Sequence, residues 1–453
     1  MDYNKFIVSK THSIGNSGFD PIYMPDYLFD FQVHATEWMI RKGRGACFLD
    51  TGLGKTAIQL VIAENIIRKT NKRVLILTPL AVSFQFIIEA DKIGIGDIAY
   101  CKDGNHKTKI IITNYERLHY FDSNDFEAVI LDESSILKNF DGAFKNRITS
   151  FIKKVRYRFL STATPSPNDF NELGTSSEAL GYLGYTDMLT MFFKNNEDTI
   201  KPQNIGTKWL LKGHAEDNFF KWVSGWSISM RKPSDFGYSD ANHILPQKIV
   251  NYHEVKNDNN MCIDGQFMLF NGIARRLSEI REEQRLTIDS RCEKAVEISS
   301  RHKKSVYWCN FNKESELISN MDPESVEIKG SMNIDKKEEI LIAFTKGEIN
   351  KLVTKAKMTA FGMNWQHCNH TVYFPTFSYE QYYQAIRRFW RFGQTRDVIV
   401  DLVFSDGQKR IIDSLEAKAK KADELFYRLN DNLHQDFSID SKDFDKKLIL
   451  PTF

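Results

Sequence analysis

A glycine-rich turn that could bind phosphate lies near the start of the chain, where the residues FLDTGLGKT precede a long amphipathic stretch. Glycine at positions 52 and 54 lets backbone N–H groups approach phosphate oxygens, and the N-terminus of a following helix adds positive potential. Lys55 would reach the β- and γ-phosphates, and the hydroxyl of Thr56 would ligate Mg²⁺. The sequence therefore predicts a site for ATP and Mg²⁺, with nucleotide contacts from Thr51, Gly52, Leu53, Gly54, Lys55 and Thr56.

Two acidic residues follow a later apolar run, AVIL, and could take part in hydrolysis. Asp132 and Glu133 come at the carboxyl end of this predicted strand, which is the edge where a parallel sheet presents its ligand groups. In a phosphoryl-transfer site, Asp132 would hold Mg²⁺ through water and Glu133 would orient the attacking water. The pair therefore predicts hydrolysis beside the glycine-rich turn.

Short buried strands must position these residues, and the first third of the chain alternates such strands with amphipathic stretches. The runs ACFLD, RVLILT, KIIIT, AVILDE and YRFLST are typical of strands buried on both faces of a parallel sheet. The same rhythm returns in KSVYWCN, SVEIKG, NKLVTKA, HTVYFP and DVIVDLVFS, with helices predicted near 336–345 and 379–392. This alternation predicts an α/β fold with two parallel-sheet lobes.

A segment rich in glycine and aromatic residues separates the two lobes, and we expect it to form a mostly helical insertion. The predicted organisation is a first lobe with an N-terminal extension over 1–170, the insertion and a linker over 171–247, a second lobe over 248–430 and a C-terminal tail over 431–453.

Composition excludes several other classes of protein. The 453 residues include 61 Lys+Arg and 59 Asp+Glu, a formal charge of +2, so nucleic-acid binding must depend on local patches. A hydrophobic fraction of 42% argues against a mainly disordered chain. No apolar run reaches the roughly 18–20 residues of a membrane span, and we expect no membrane partner. The six cysteines form no CxxC pair, which argues against a zinc ribbon and favours free thiols in the cytoplasm.

Several motifs occur in the order that is typical of one enzyme superfamily. The segments DTGLGKT, TPLAV, ITNYE, LDESSILKN, STATPSPN, TAFGMNW and QAIRRFWRFGQ together resemble the motifs of superfamily II helicases. The ending Arg-x-Gly-Gln is similar to the Swi/Snf-like branch, and the insertion resembles that of compact phage-encoded helicases. The resemblance covers about residues 30–405 and implies two RecA-like lobes with ATP between them.

The resemblance assigns roles to further residues around the nucleotide. Gln32 matches the glutamine that reads the adenine base, while Thr162 and Thr164 match the motif that couples hydrolysis to lobe movement. The acidic pair continues with two serines where the family usually has Ala-His or Ala-Asp. We expect Ser135 to hydrogen-bond toward Thr162 or Gln384, although this departure weakens the coupling assignment.

The last motif supplies positive charge for catalysis. Gln384, Arg388 and Arg391 match the residues of the family that face the γ-phosphate. Positions i, i+4 and i+7 lie on one helix face, so a helix through 379–392 would project all three together. An arginine supplied across a cleft stabilises transition-state charge and makes hydrolysis depend on lobe closure.

Nucleic acid would be gripped mainly through its phosphates, without reading of the base sequence. The matching motifs predict DNA contacts from Thr78, Pro79, Thr113, Asn114, Lys355, Thr359, Gly362, Asn364 and Trp365. The insertion interleaves basic and aromatic residues that suit a duplex or junction contact, namely Lys221, Trp222, Arg231 and Lys232. For the tryptophans, packing inside a core is an equally good interpretation.

The combined prediction is an ATP-dependent DNA translocase that acts on duplex or branched DNA in replication, recombination or repair, for example by branch migration. An RNA helicase is the alternative among enzymes, although RNA members usually end the last motif with Gly-Arg. A nucleotide-gated adaptor of a larger machine is the alternative from another class. We expect a monomer in the cytoplasm, which would be the host cytoplasm if the chain is phage-encoded.

Overall fold

The computed structural model divides the chain into two compact units, one formed by 1–242 with 421–453 and the other by 243–420. The residues that the structure describes are 12–13, 15–79, 82–138, 142–195, 209–241, 243–256, 262–263, 266–267, 283–359, 364–432 and 438–439. Among them, no helix combines the length and the apolar character that crossing a membrane requires.

A seven-stranded parallel sheet forms the centre of the first unit, with strand order β9-β1-β6-β5-β2-β4-β3. Its central strands are almost fully buried, which explains their continuous apolar sequences. The strands are β1 (Arg44–Leu49), β2 (Arg73–Thr78), β3 (Ile98–Tyr100), β4 (Ile110–Asn114), β5 (Phe126–Asp132), β6 (Tyr157–Ser161) and β9 (Ser227–Met230), while β7 (Phe193–Asn195) and β8 (Trp209–Leu211) form a separate hairpin.

Helices connect these strands and carry the site residues at their ends. The helices of the first unit are α1 (Asp30–Lys42), α2 (Lys55–Thr70), α3 (Ser83–Lys92), α4 (Ala143–Lys154), α5 (Leu173–Leu180), α6 (Tyr185–Phe192) and α7 (Glu216–Ser224). The first helical residue of α2 is Lys55 of the glycine-rich turn, as the motif requires.

The predicted insertion, 171–247, does not form a body of its own. Its strand β9 pairs in parallel with β1, so the segment completes the edge of the first sheet. Trp222 and Trp226 are fully buried, together with Phe219, in a core cluster shared with the first sheet. Three helices of the first unit, α5, α6 and α7, lie in this segment as predicted, but its residues up to 242 belong to the first unit, because the burial of its aromatic residues depends on contacts with distant strands.

The end of the last helix also differs from the predicted boundaries. Helix α13 (Lys409–Asp431) was placed in the second lobe, but its residues from Lys421 onward belong to the first unit. Leu425, Phe426 and Leu429 are buried in the core cluster that contains the two tryptophans. This amphipathic segment therefore completes the first unit rather than the second.

The second unit contains a six-stranded parallel sheet with strand order β10-β15-β14-β11-β13-β12. The two sheets confirm the predicted α/β fold with two parallel-sheet lobes. The strands are β10 (Lys248–Val255), β11 (Ser305–Trp308), β12 (Ser325–Glu327), β13 (Lys351–Thr354), β14 (His370–Tyr373) and β15 (Val398–Ser405), and the helices are α8 (Ile288–Ser299), α9 (Asn312–Met321), α10 (Ile334–Lys346), α11 (Ala356–Thr359), α12 (Tyr379–Ile386) and the first part of α13.

Candidate active site and nucleic-acid contacts

The glycine-rich turn joins β1 to α2 through two residues with left-handed backbone. Gly52 has φ 93° and Gly54 has φ 77°, a region that other residues rarely adopt. The N–H of Asp50, where the turn starts, donates to the carbonyl of Met230 at the end of β9 (2.9 Å). The edge strand from the predicted insertion therefore supports the phosphate-binding turn, which the motif itself does not reveal.

Lys55 folds back over the turn that precedes it. Its Nζ donates to the carbonyl oxygens of Leu49 (2.9 Å) and Asp50 (3.2 Å). Burial lowers the pKa of Lys55, while the carboxylates of Glu133, Asp50 and Asp132 act in the opposite direction. The ammonium group therefore lies in the field of the acidic pair, beside the turn that would bind the nucleotide.

Gln32 lies directly against the turn and uses both ends of its amide. The Nε2 atom donates to the carbonyl of Leu53 (3.1 Å), and the Oε1 atom accepts from the N–H of Phe29 (3.0 Å). A Cβ at Gly54 would lie 2.1 Å from this Nε2, so another residue there would displace the Gln32 amide as well as strain the left-handed backbone. Gln32 therefore braces the phosphate-binding turn, and its reading of adenine stays a prediction.

The carboxylate of Asp132 is held in place by two side chains. Gln59 Nε2 donates to Oδ1 (2.9 Å) and the Thr78 hydroxyl donates to Oδ2 (3.1 Å). Burial raises the pKa of Asp132 to about 6, and the neighbouring Glu133 carboxylate adds to the shift. Thr78 was predicted to contact DNA, but it is fully buried and positions the carboxylate instead.

The sequence analysis missed two residues that surround this carboxylate. Gln59 lies one turn after Lys55 on α2, so an i, i+4 spacing from the lysine could have indicated it. The hydroxyl of Tyr115 donates to the backbone carbonyl of Asp132. No local signal identifies Tyr115, because it reaches the site from the end of a different strand.

Glu133 adopts a left-handed backbone conformation, with φ 52°, directly after β5. Its Oε1 atom accepts hydrogen bonds from the hydroxyls of Thr162 (2.6 Å) and Ser135 (3.0 Å). The N–H of Thr164 donates to the Thr162 hydroxyl (3.0 Å). The structure thus brings the three predicted coupling residues together, but Ser135 contacts Glu133 rather than Thr162 or Gln384.

The last motif has a different backbone from the one predicted. Helix α12 ends at Ile386, and Arg388 and Arg391 lie in the turns that follow. The three residues therefore do not share the face of one helix, because the helix stops after Gln384 and before either arginine. Within the described residues, Gln384 Nε2 and Arg391 Nε are buried and have no hydrogen-bond partner. Burial and the nearby Arg387 lower the pKa of Arg391 to about 10.

Gln394, which ends the motif, holds the surrounding loops together through hydrogen bonds to their backbone groups. Its Nε2 atom donates to the carbonyls of Gln366 (3.0 Å), Cys368 (3.1 Å) and Phe389 (3.3 Å). Its Oε1 atom accepts from the N–H groups of the two residues that follow it, both at 3.1 Å. The Gly-Gln ending therefore fixes the loop that carries Arg391.

Several predicted DNA contacts are buried in the two cores, so they cannot touch a strand at the surface. Trp365 is fully buried and its Nε1 donates to Thr345 (3.2 Å), and Trp222 is also fully buried. The hydroxyl of Thr113 donates to the carbonyl of Cys101 (2.9 Å), and Asn114 caps the turn after β4. Burial argues against DNA contacts from these side chains, and motif matching does not show exposure.

The other predicted contacts stay predictions. Pro79, Asn364 and Lys221 are half-buried, and Lys355 Nζ lies 2.5 Å from Asn312 Oδ1. Arg231 pairs with Asp423 (2.9 Å) and lies over the ring of Phe426, whereas Lys232 is exposed. Thr359 ends α11, and Gly362 lies outside the described residues.

Comparison with known families identifies two helicase domains. Residues 30–173 match the DEAD/DEAH box helicase family, and residues 290–393 match the helicase conserved C-terminal domain. Each match falls within one of the two units, and together they include more than half of the chain. The first match contains the glycine-rich turn and the acidic pair, and the second contains both arginines.

Individual similar proteins are distant in sequence. An uncharacterized ATP-dependent helicase of Bacillus subtilis (strain 168), YqhH, is 23% identical over 231 residues, which are 45% of this chain and 39% of the relative's length. A Dbp5 variant of S. cerevisiae bound to RNA and ADP BeF3 has a TM-score of 0.56 and 12% identity, over 90% of this chain and 94% of that one. A Sulfolobus solfataricus SWI2/SNF2 ATPase core in complex with dsDNA has a TM-score of 0.41 and 19% identity, over 91% and 96%. The Dbp5 likeness confirms the two-lobed fold.

Proposed function

We propose that this chain, which belongs to the ATP-dependent helicases of superfamily II, is a motor that translocates along duplex or branched DNA. The observation that carries the motor proposal is the hydrogen bond from Thr162 to Glu133. Glu133 is expected to orient the attacking water, and Thr162 belongs to the motif expected to couple hydrolysis to lobe movement. The Gly-Gln ending of the last motif supports DNA rather than RNA as the substrate.

The first unit would bind the triphosphate through the glycine-rich turn. Backbone N–H groups at the start of α2 would donate hydrogen bonds to phosphate oxygens, and Lys55 would leave its two carbonyl partners for the β- and γ-phosphates. The carboxylate of Asp132 and the hydroxyl of Thr56 are hard oxygen donors of the kind that Mg²⁺ prefers. When bound, Mg²⁺ would neutralise charge that develops on the phosphates.

Water activation would fall to Glu133, whose carboxylate is oriented by Ser135 and Thr162. A carboxylate that accepts two hydrogen bonds on one oxygen keeps the other oxygen free to align a water. Arg388 and Arg391 would stabilise the γ-phosphate in the transition state, and each turnover would then advance the motor along DNA. We propose branch migration or fork remodelling as the resulting activity.

Steady-state ATP hydrolysis tests the proposal. The assay compares no nucleic acid with single-stranded DNA, linear duplex, a four-way junction and RNA at matched nucleotide concentration. Stimulation by duplex or junction is the expected result, and Glu133→Gln should bind ATP and DNA without turnover. Stimulation by RNA alone would replace DNA with RNA as the substrate. Slow hydrolysis that no nucleic acid stimulates would favour a nucleotide-gated adaptor.

A further inference from the structure

A cluster of histidine and aspartate side chains lies in the second unit, apart from every residue assigned above to nucleotide or DNA. Ser305 and His370 are the first residues of β11 and β14, Asp401 lies in β15, and His253 lies in the neighbouring β10. His302 comes from the turn after α8. Ligands of a parallel sheet usually bind at its carboxyl edge, whereas Ser305 and His370 lie at the amino ends of their strands, so this cluster calls for a separate explanation.

Asp401 is a buried carboxylate, and no lysine or arginine of the described ranges forms an ion pair with it. The residue is only 3% exposed. Its Oδ1 atom accepts from Asn251 Nδ2 (2.9 Å) and lies 2.7 Å from His253 Nε2, and its Oδ2 atom lies 2.8 Å from His370 Nε2. Among the described residues, histidines are the only ionisable groups within ion-pair distance of it. Burial acts to raise the pKa of Asp401, but these hydrogen bonds outweigh it and lower the pKa to about 2.

Three candidate ligand atoms lie close together, and two of them, His370 Nε2 and Asp401 Oδ2, share a hydrogen bond whose proton an ion would replace. His370 Nδ1 lies 2.8 Å from the hydroxyl of Ser305, so Nδ1 is occupied and Nε2 is directed at Asp401. Metal-ligating histidines and carboxylates usually have their other polar atoms hydrogen-bonded in this way, which fixes the ligand orientation. One ligand atom from each of His302, His370 and Asp401 lies within 4.8 Å of the others.

The side chain of His302 is the one in the cluster that would have to rotate to bind an ion. Its ring stacks on that of His370, with ring centres 3.6 Å apart and planes 7° apart. The side chain is half-buried, and its ring makes no hydrogen bond within the described part of the chain. Two parallel rings cannot direct their in-plane lone pairs at one ion, so binding requires the His302 ring to turn, and nothing in its hydrogen bonding opposes this.

We propose that His302, His370 and Asp401 bind a divalent transition metal ion of the zinc class, with a water molecule or His253 as the fourth ligand. Two imidazole nitrogens and one carboxylate oxygen are ligands that Zn²⁺ accepts in tetrahedral geometry. The ion would neutralise the buried carboxylate and join β14 and β15 to the turn after α8. The expected role is to stabilise the second unit, and the proposal does not depend on the proposed motor activity.

Titration of the untagged full-length protein with Co²⁺, after treatment with a chelator, tests the site directly. We expect one equivalent to bind with the intense visible absorption of tetrahedral Co²⁺, and Zn²⁺ to displace it. Zn²⁺ should also raise the thermal unfolding midpoint, since a ligand that binds only the folded state stabilises it. An absence of tetrahedral absorption and of any thermal shift would overturn the proposal.

Variants then locate the ion. His302→Gln removes one ligand but no hydrogen bond, so it should fold normally and lose the Co²⁺ absorption and the thermal shift. Ser305→Ala removes the partner of His370 and should weaken binding by about tenfold or more. His214→Gln is the matched control, because His214 is an exposed histidine of the first unit. Binding that His302→Gln leaves unchanged would place the ion elsewhere and overturn the assignment.

Discussion

The acidic pair of the first unit and the last motif of the second unit differ in how their polar atoms are satisfied. Asp132 and Glu133 each accept two side-chain hydrogen bonds. Gln384 Nε2 and Arg391 Nε, by contrast, are buried without a partner among the described residues. An unsatisfied buried polar group costs about 1–3 kcal/mol. The carboxylates of the acidic pair are therefore held by side chains of their own unit, whereas these two atoms of the last motif are not held by any described side chain.

The largest expected effect comes from the phosphate-binding turn. Lys55→Ala should reduce ATP hydrolysis to the level of a buffer control, because no other cation of the turn could replace the lost ammonium group. Steady-state assays with saturating DNA measure this loss. Lys92→Ala, an exposed lysine paired with Glu89, is the control and should hydrolyse ATP normally. Near-normal turnover in the Lys55 variant would remove the phosphate role from this turn.

The next effect tests the unsatisfied arginine of the second unit. Arg391→Ala should lower kcat by about 10³-fold or more if Arg391 stabilises the transition state. Arg396→Ala is the control, since Arg396 is an exposed residue whose side chain donates to the backbone carbonyl of His367. A decrease in kcat of less than tenfold would indicate that Arg388, or neither arginine, stabilises the transition state.

A smaller effect is expected where the first site is already organised. Thr162→Val removes the 2.6 Å hydrogen bond to Glu133, and a hydrogen bond to a charged group contributes about 1.5–3 kcal/mol. We therefore expect kcat of the Thr162→Val variant to fall by about tenfold or more. In the Ser135→Ala variant, kcat should fall by a similar or smaller factor. A double variant that loses no more than Thr162→Val alone would indicate that the two hydroxyls act as one unit. Unchanged kcat in all three would contradict the positioning of Glu133.

Loss of the Gln394 side chain should lower stability without changing nucleotide binding. Gln394→Ala would leave three carbonyls and two N–H groups without their partner, so we expect the free energy of unfolding of the second unit to fall by about 2 kcal/mol. Urea denaturation monitored by tryptophan fluorescence measures this change. ATP affinity in equilibrium binding should stay the same, and a selective loss of ATP affinity would show that Gln394 contacts the nucleotide.

The smallest expected effect concerns a tryptophan that the motif order placed on DNA. Trp365→Phe should leave duplex affinity unchanged, because the ring is fully buried and so cannot provide the base stacking that is worth about 1–3 kcal/mol per base. Fluorescence anisotropy with labelled duplex, at a temperature where the variant is folded, makes the comparison. Lys355→Ala, in the same region, should weaken binding and reduce its salt dependence. Loss of affinity in the Trp365 variant alone would restore the stacking role.

Sequence analysis predicted the central strands of both sheets, but it missed three of the four edge strands, β3, β9 and β10. Central strands are recognisable because burial on both faces demands continuous apolar runs. Strand β10 is half-exposed along its length, and β9 is a four-residue piece within an aromatic region. Edge strands depend on the partner to which they attach, so their local sequences carry a weak signal.

The residue types and spacings by themselves determined the nucleotide site, because a turn, a strand end and a helix N-terminus are local structures whose geometry follows from short sequences. Only the tertiary structure decided which side chains support that site. Gln59, Tyr115 and Met230 come from three separate elements, and Thr78 turned from a predicted DNA contact into a partner of Asp132. The exposure of a side chain and its hydrogen bonds across a sheet depend on residues far apart in the chain. A local sequence pattern therefore cannot predict either.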